Sequence, residues 1–272
     1  MQMIDFVIAL GDLFMPRACL ACGCRLGMRE RHLCLSCAAD VPYTRFWLAA
    51  HNPLADRFNA VLERHRGTEP MDYAFAAALL YYKGAYRSIP RALKYQGNLA
   101  AGRHYGALLG RRLAAAPHFA DIDLVIPVPL HWTRLRSRGY NQADVLARAL
   151  VDAFRTAPDE GPAIRTDLLV RARRTRTQTR VSVDQKAQNV ASAFQVPVRF
   201  SLRARFISTL KGEVPESPAS ILSSARHILL VDDTFTTGAT LYACYAALRP
   251  FTAARISIAT LAAVEGTPTP GP

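Results

Sequence analysis

The chain has 272 residues, half of them hydrophobic, with 34 Lys and Arg against 21 Asp and Glu and a formal net charge of +13. That length suits one α/β domain of ordinary size plus a small appendage, and the apolar half excludes a chain too polar to pack a core. The charge surplus points to anions, namely nucleotides, pyrophosphate or a nucleic-acid backbone, with a basic surface that serves no dedicated partner as the plain alternative.

The opening stretch MQMIDFVIALGDLFMP is apolar but broken by Asp5 and Asp12, and it is too short to span a bilayer. It lacks the basic front and small-residue cleavage site of a signal peptide, so the expectation is a cytoplasmic protein with no membrane insertion and with reduced cysteines. Ile4, Val7, Ile8, Gly11 and Phe14 suit one face of a short docking helix.

Cys19, Cys22, Cys34 and Cys37 follow as two C-x2-C pairs separated by eleven residues. Two such pairs can set four thiolates around one ion, the pattern of a closed structural zinc site. Cys24 is a rival ligand or a bystander, and Cys244, far along an apolar helix, is a core residue. Arg17, Arg25, Arg29, Arg31 and His32 surround the thiolates and offset the two negative charges left on a tetrathiolate zinc. A nucleic-acid contact by the same knuckle is the weaker alternative.

Next, PLADRFNAVLERHRG (residues 53–67) reads as a helical connector and DYAFAAALLYYKG (72–84) as an apolar strand. Two helices divided by Gly97 and Asn98 are expected over residues 87–115, with Lys94, Arg103, Arg111 and Arg112 on their solvated faces. DLVIPVPL (123–130), closed by two prolines, suits a central parallel strand whose end leaves the sheet at once. A basic loop and an amphipathic helix begun by Gly139, Tyr140 and Asn141 follow it. Residues 168–196 give a third apolar strand, a polar Arg/Thr/Gln stretch and a helix. Residues 199–224 read as an insertion or hairpin, HILLVDD and ARISIATLAAV as strands around the helix GATLYACYAALRP, and GTPTPGP as a disordered tail. Strands alternating with helices imply a mostly parallel sheet.

The chemistry concentrates in ILLVDDTFTTGAT (228–240). Such a sheet binds ligands at the carboxyl ends of its strands, where Asp232 and Asp233 fall. Two adjacent carboxylates accept hydrogen bonds from vicinal ribose hydroxyls or hold magnesium through water. Free backbone N–H groups and the hydroxyls of Thr236, Thr237 and Thr240 then offer a phosphate cradle at a helix N-terminus, with Gly238 allowing close approach. Helix capping alone would need one acid, whereas this loop has two acids, several threonines and a glycine.

VDDTFTTGAT resembles the phosphoribosyl pyrophosphate signature of type I phosphoribosyltransferases. Together with the cysteine knuckle, KYQGN (94–98), IPVPL, RSRGYNQ (136–142), RTRTQT and NVASAFQV, it occurs in the order seen in the ComF/GntX family of competence-associated, phosphoribosyltransferase-like proteins, over residues 10–265. The resemblance implies a Rossmann-like type I phosphoribosyltransferase domain, a mostly parallel α/β sheet flanked by helices, carrying a small N-terminal zinc ribbon of four cysteines. It implies that Asp232 and Asp233 hold the ribose, that Thr236, Thr237, Gly238, Ala239 and Thr240 hold its 5'-phosphate, and that Thr234 binds the same substrate. Pyrophosphate with magnesium would lie by Val128 and Pro129, near Arg134, Arg136, Arg138 and Asn141, and Arg173 would belong to a loop that closes over the substrate. One departure is Lys186, which stands three residues before Asn189 where the family carries Arg and so lacks the bidentate fork.

The expected organisation is a helix and zinc ribbon over residues 1–50, a connector over 51–70, the phosphoribosyltransferase-like domain over 71–265 and the tail over 266–272. Two functions compete. One is a phosphoribosyltransferase that uses phosphoribosyl pyrophosphate or a related nucleotide, linked to DNA uptake in natural competence. The other is a non-catalytic competence factor that binds single-stranded DNA, acts with competence proteins and uses the phosphoribosyl site as a nucleotide sensor. A ligand-dependent regulator ranks behind both, since no duplex-reading module is evident.

Overall fold

The computed structural model describes residues 16–65, 72–155, 161–172, 193–198 and 216–266. The expected N-terminal helix, Arg173 and the rest of its loop, Lys186, Asn189 and the tail beyond residue 266 lie outside these residues.

Five parallel strands form the sheet, in the order β1-β7-β6-β2-β3: β1 (Ala76–Tyr81), β2 (Leu124–Pro127), β3 (Ala163–Ile164), β6 (His227–Phe235) and β7 (Arg255–Ala263). The four longer strands are largely buried because helices cover both faces of the sheet, as their near-continuous apolar runs require. On one face, Leu54 and Phe58 of α2 (Pro53–Glu63) and Leu241, Cys244 and Leu248 of α8 (Ala239–Leu248) pack with Leu230, Ile256 and Ile258. On the other, Tyr105 and Leu109 of α4 (Leu99–Ala114) and Leu146 and Leu150 of α6 (Gln142–Phe154) pack with Val125, Leu229 and Val231. Each of these large apolar side chains contributes roughly 1.5–3 kcal/mol by leaving water.

The helix starts are fixed locally. Asn52 accepts from the backbone N–H of Leu54 and Ala55 at the head of α2, Asn98 from Ala101 in α4, and Asn141 from Ala143 in α6. Contact between α4 and α6 is close because Gly106 and Gly110 face the second helix: a Cβ on Gly110 would fall 2.4 Å from the Leu150 carbonyl oxygen.

At the amino-terminal end, the knuckle containing α1 (Leu35–Ala39) is tied to the sheet. The N–H of Tyr81 donates to the Pro42 carbonyl at 2.8 Å, that of Thr44 to Leu79 at 3.2 Å, and the Tyr86 hydroxyl to the Cys37 carbonyl at 2.9 Å.

Several elements differ from the sequence expectation. β6 continues through Asp232 and Asp233 to Phe235, because the equally long β7 supplies partners as far as Ala263. The basic loop after β2 coils into α5 (Trp132–Arg138), capped by His131 and stopped by Gly139 at φ 82°. The apolar run near residue 170 does not enter the main sheet: β4 (Val170–Arg171) pairs antiparallel with β5 (Phe194–Gln195) as a separate two-stranded ribbon. The fifth strand of the sheet is instead β3, a two-residue segment too short to carry periodicity. Of the expected insertion, residues 218–224 form α7 (Pro218–Ser224), begun by the Ser217 cap. Short α3 (Ser88–Tyr95) precedes α4 as expected.

Candidate functional site

A cleft of about 660 Å³ opens at the carboxyl ends of β2 and β6. Its lining brings together most of the expected site: Asp232, Asp233 and Thr234 on β6, Thr236, Thr237, Ala239 and Thr240 on the loop and the start of α8, and Val128, Pro129, Arg134, Arg138 and Asn141 across from them. Gly238 shapes the turn and does not line the wall. Its φ of 80° is left-handed, and a Cβ there would meet the Phe235 ring at 3.0 Å.

Successive residues of a strand point to opposite faces, so the two acids of β6 splay apart while still sharing the cleft. Asp233 is buried and ion-paired to Lys94 Nζ of α3 at 3.0 Å. Burial opposes the Lys94 charge, but Asp233 and then Asp232 hold its pKa above the ordinary lysine value. Asp232 accepts the Asp233 backbone N–H at 2.8 Å. Burial and then the neighbouring Asp233 charge push the Asp232 carboxyl up to about 7.

Facing the acids is a cationic wall. Among the described residues five cations, Arg91, Lys94, Arg134, Arg138 and Arg171, line the cleft against two acids, so the charge of that lining is positive. Arg171, on β4, has its pKa lowered by burial and next by Arg134. Arg138 stacks over Tyr95 at 5.7 Å, and its Nη1 is buried without a hydrogen-bond partner among the described residues. Crowded cations and an orphaned buried donor are a preformed place for an anion. Asn141 Nδ2 donates to the Val128 carbonyl at 3.0 Å, which fixes the turn after β2.

Sequence reasoning assigns Lys94 to a solvated helix face and does not single out Arg171 or Arg57. Arg57 holds the threonine loop from behind, donating to the Thr236 carbonyl at 2.8 Å and the Val264 carbonyl at 2.6 Å. The signal that could have found Lys94 is its position in KYQGN, one of the segments that carry the family resemblance.

The knuckle gathers its thiols. Cys19, Cys22, Cys24 and Cys34 have sulfurs within 4.8 Å of one another, with Cys22 and Cys34 at 3.8 Å, and the Cys37 thiol interacts with those of Cys34, Cys22 and Cys19. Burial opposes the Cys19 thiolate, yet backbone N–H groups of Cys22, Cys34 and Ala21 bring its pKa down to about 6. Soft donors converging on one point fit zinc.

One other constellation imitates a catalytic triad. His227 Nδ1 lies 2.6 Å from Asp121 and its Nε2 2.8 Å from Ser257 Oγ. His227 and Ser257 are both 0% exposed and sit at the amino ends of β6 and β7, so no substrate reaches the hydroxyl. The relay satisfies buried polar groups.

A parallel sheet that presents an acid pair, a threonine loop at a helix start and a cationic wall defines an α/β protein of the phosphoribosyltransferase type. Residues 185–270, which contain β6, the loop, α8 and β7, match the phosphoribosyl transferase domain. The chain is also 25% identical over 234 residues to Competence protein F of Haemophilus influenzae, covering 85% of this chain and 84% of that protein. The chain is thus similar to Competence protein F over most of its length and to the phosphoribosyl transferase domain over its carboxyl-terminal third. No helix among the described residues is long and apolar enough to cross a membrane.

Proposed function

We propose that the cleft binds phosphoribosyl pyrophosphate and that the protein works in the cytoplasm in the uptake of transforming DNA, in keeping with the competence for which its Haemophilus relative is named. The observation that carries the ligand reading is the meeting, in one cleft, of Asp232 and Asp233 with the Thr236–Thr240 loop and Arg134 and Arg138. On this reading the carboxylates accept hydrogen bonds from the two ribose hydroxyls. The loop N–H groups and hydroxyls at the head of α8 take the 5'-phosphate, and the arginines neutralise the pyrophosphate. Asp232 and Asp233 would hold magnesium, which would supply charge neutralisation for the pyrophosphate. If transfer occurs, Arg134, Arg138 and Arg171 stabilise the charge that develops on departing pyrophosphate while Asp232 and Asp233 orient the sugar. Lys94 holds Asp233 in place through their ion pair. A structural zinc ion held by four of the clustered thiols completes the reading.

Calorimetric titration of phosphoribosyl pyrophosphate with magnesium tests it. Wild type should bind, and the Asp232→Asn/Asp233→Asn double variant should bind at least about tenfold more weakly, a loss of about 1.4 kcal/mol or more. Equal binding by both would overturn the site.

A second reading, single-stranded DNA bound across the same mouth, is favoured by Tyr95 and Trp132, which are 71% and 61% exposed beside the arginines and offer faces for base stacking. Affinity for an oligonucleotide should then fall steeply with salt and drop in a Tyr95→Ala/Trp132→Ala variant. Salt-independent or unaltered binding would remove this reading.

A further inference from the structure

The knuckle holds one more thiol than a tetrahedral ion needs. Cys19, Cys22 and Cys34 belong to both possible quartets: with Cys24 they form a set within 4.8 Å, and Cys37 reaches the same three from α1. Cys24 is placed there by a local device. Gly23, at φ 75°, turns the chain back so that the Cys19 N–H donates to the Cys24 carbonyl at 2.8 Å and the Gly23 N–H to the Cys19 carbonyl at 2.9 Å. That turn brings Cys24 beside the sulfurs that the two C-x2-C pairs already gather.

We propose that Cys24 and Cys37 share the fourth zinc position, so that the ion is held by a constant trio, Cys19, Cys22 and Cys34, and by either of two exchanging thiolates. The proposal rests on the reading of the knuckle as a zinc site. Zinc has no directional d-electron preference within a tetrahedral thiolate set, so geometry alone decides between the two donors, and geometry here presents both. Cys24 is exposed and Cys37 half-buried. The thiol outside the coordination sphere is therefore within reach of solvent. In each exchange the incoming thiol gives up its proton as its sulfur binds and the displaced thiolate takes one up, so four thiolates stay on the ion with no change of oxidation state. The consequence is a site that keeps its metal when one of the two is lost and that offers a free thiol next to bound zinc, a position from which the ion can be passed to a competing thiol ligand.

Zinc content and chelator competition on the full chain test this with Cys24→Ser, Cys37→Ser and the double variant. The expected result is one zinc per chain in wild type and in both single variants, each weakened by about twofold, the statistical factor for losing one of two equivalent seats. The double variant should lose on the order of a hundredfold, because four ligands share the binding free energy. Replacement by cobalt should give tetrathiolate charge-transfer bands in wild type and in both single variants, and a spectrum with one sulfur fewer in the double variant. A second readout uses limited alkylation of the zinc-loaded protein, with the site of modification read by mass spectrometry. Label should divide between Cys24 and Cys37 and spare the trio. If Cys37→Ser alone loses zinc as severely as Cys22→Ser, or all label falls on Cys24, Cys24 is a bystander and the proposal fails. If Cys24→Ser alone does so, or all label falls on Cys37, Cys24 is the sole fourth ligand and it fails equally. Absence of zinc from wild-type protein would instead overturn the zinc reading on which the proposal rests.

Discussion

Asp232 sits at the point where the strand meets the cleft, and its protonation is the feature of the site most open to measurement. Burial and the charge of Asp233 bring its pKa to about 7, whereas Asp233 has Lys94 at 3.0 Å. An ionised carboxylate attracts magnesium and accepts ribose hydroxyls through both oxygens, whereas the neutral carboxyl keeps one acceptor oxygen and no charge, so the proposed ligand binds best when the proton is displaced below about pH 7. Affinity for magnesium and phosphoribosyl pyrophosphate should therefore rise from about pH 6 to 8, by at most about tenfold per unit below the pKa, and level off above it. The Asp232→Asn variant should bind weakly with no such slope. A wild-type affinity that does not change over this range would contradict the role given to Asp232. At this scale the sequence is informative wherever the residues are neighbours: the acid pair and the threonine loop are legible because they lie in one run of amino acids. Lys94 is not, because its partner is 139 residues away and its own helix reads equally well as a solvated face. Arg57 escapes for the same reason, since it reaches Thr236 across 179 residues.

Among the elements, long apolar runs and well-placed caps are readable, while strand ends and short strands depend on the neighbours they find. β6 outruns its apolar segment because β7 offers backbone partners beside the acids, and β3, with two residues, exists only through its pairing to β2. The packing of α4 on α6 is equally hidden, since GRHYGALLG reads as a weakly amphipathic stretch of helix with three destabilising glycines. The glycines are there because the helices touch: the site of a Gly110 Cβ is 2.4 Å from the Leu150 carbonyl oxygen and 2.8 Å from its Cα, both backbone atoms that cannot swing aside. In an exposed helix Gly→Ala stabilises by about 1 kcal/mol. Here the contact should reverse the sign, with Gly110→Ala destabilising by about 1–3 kcal/mol through overpacking. Chemical denaturation would show a lower midpoint with an unchanged slope, and a higher midpoint would mean that the two helices separate freely.

At the scale of the molecule, part of the surplus of 13 positive charges acquires a location, because among the described residues five cations against two acids line one cleft. The cysteine knuckle and the α/β body, separate segments of sequence, are joined at this scale by the contacts between them. Leu20, Leu33 and Val41 pack on the core that α4 and α6 share, His32 lies 4.9 Å from His104 of α4, and residues 42–44 hydrogen-bond to β1. The hydroxyl of Tyr86 reaches the backbone at Cys37, so the cysteine-rich turn and the edge of the sheet are ordered together. A zinc ion that binds the folded knuckle and not the unfolded chain, as proposed, would then stabilise the whole body by linkage. If removal of the ion costs about 3 kcal/mol, a chain of this length should lose about 6–12 °C in Tm. Calorimetry with and without a chelator should show one transition moving down as a unit. Two transitions, with the larger unmoved by the chelator, would show that the knuckle melts by itself and that its contacts with α4 and β1 carry little of the stability of the fold.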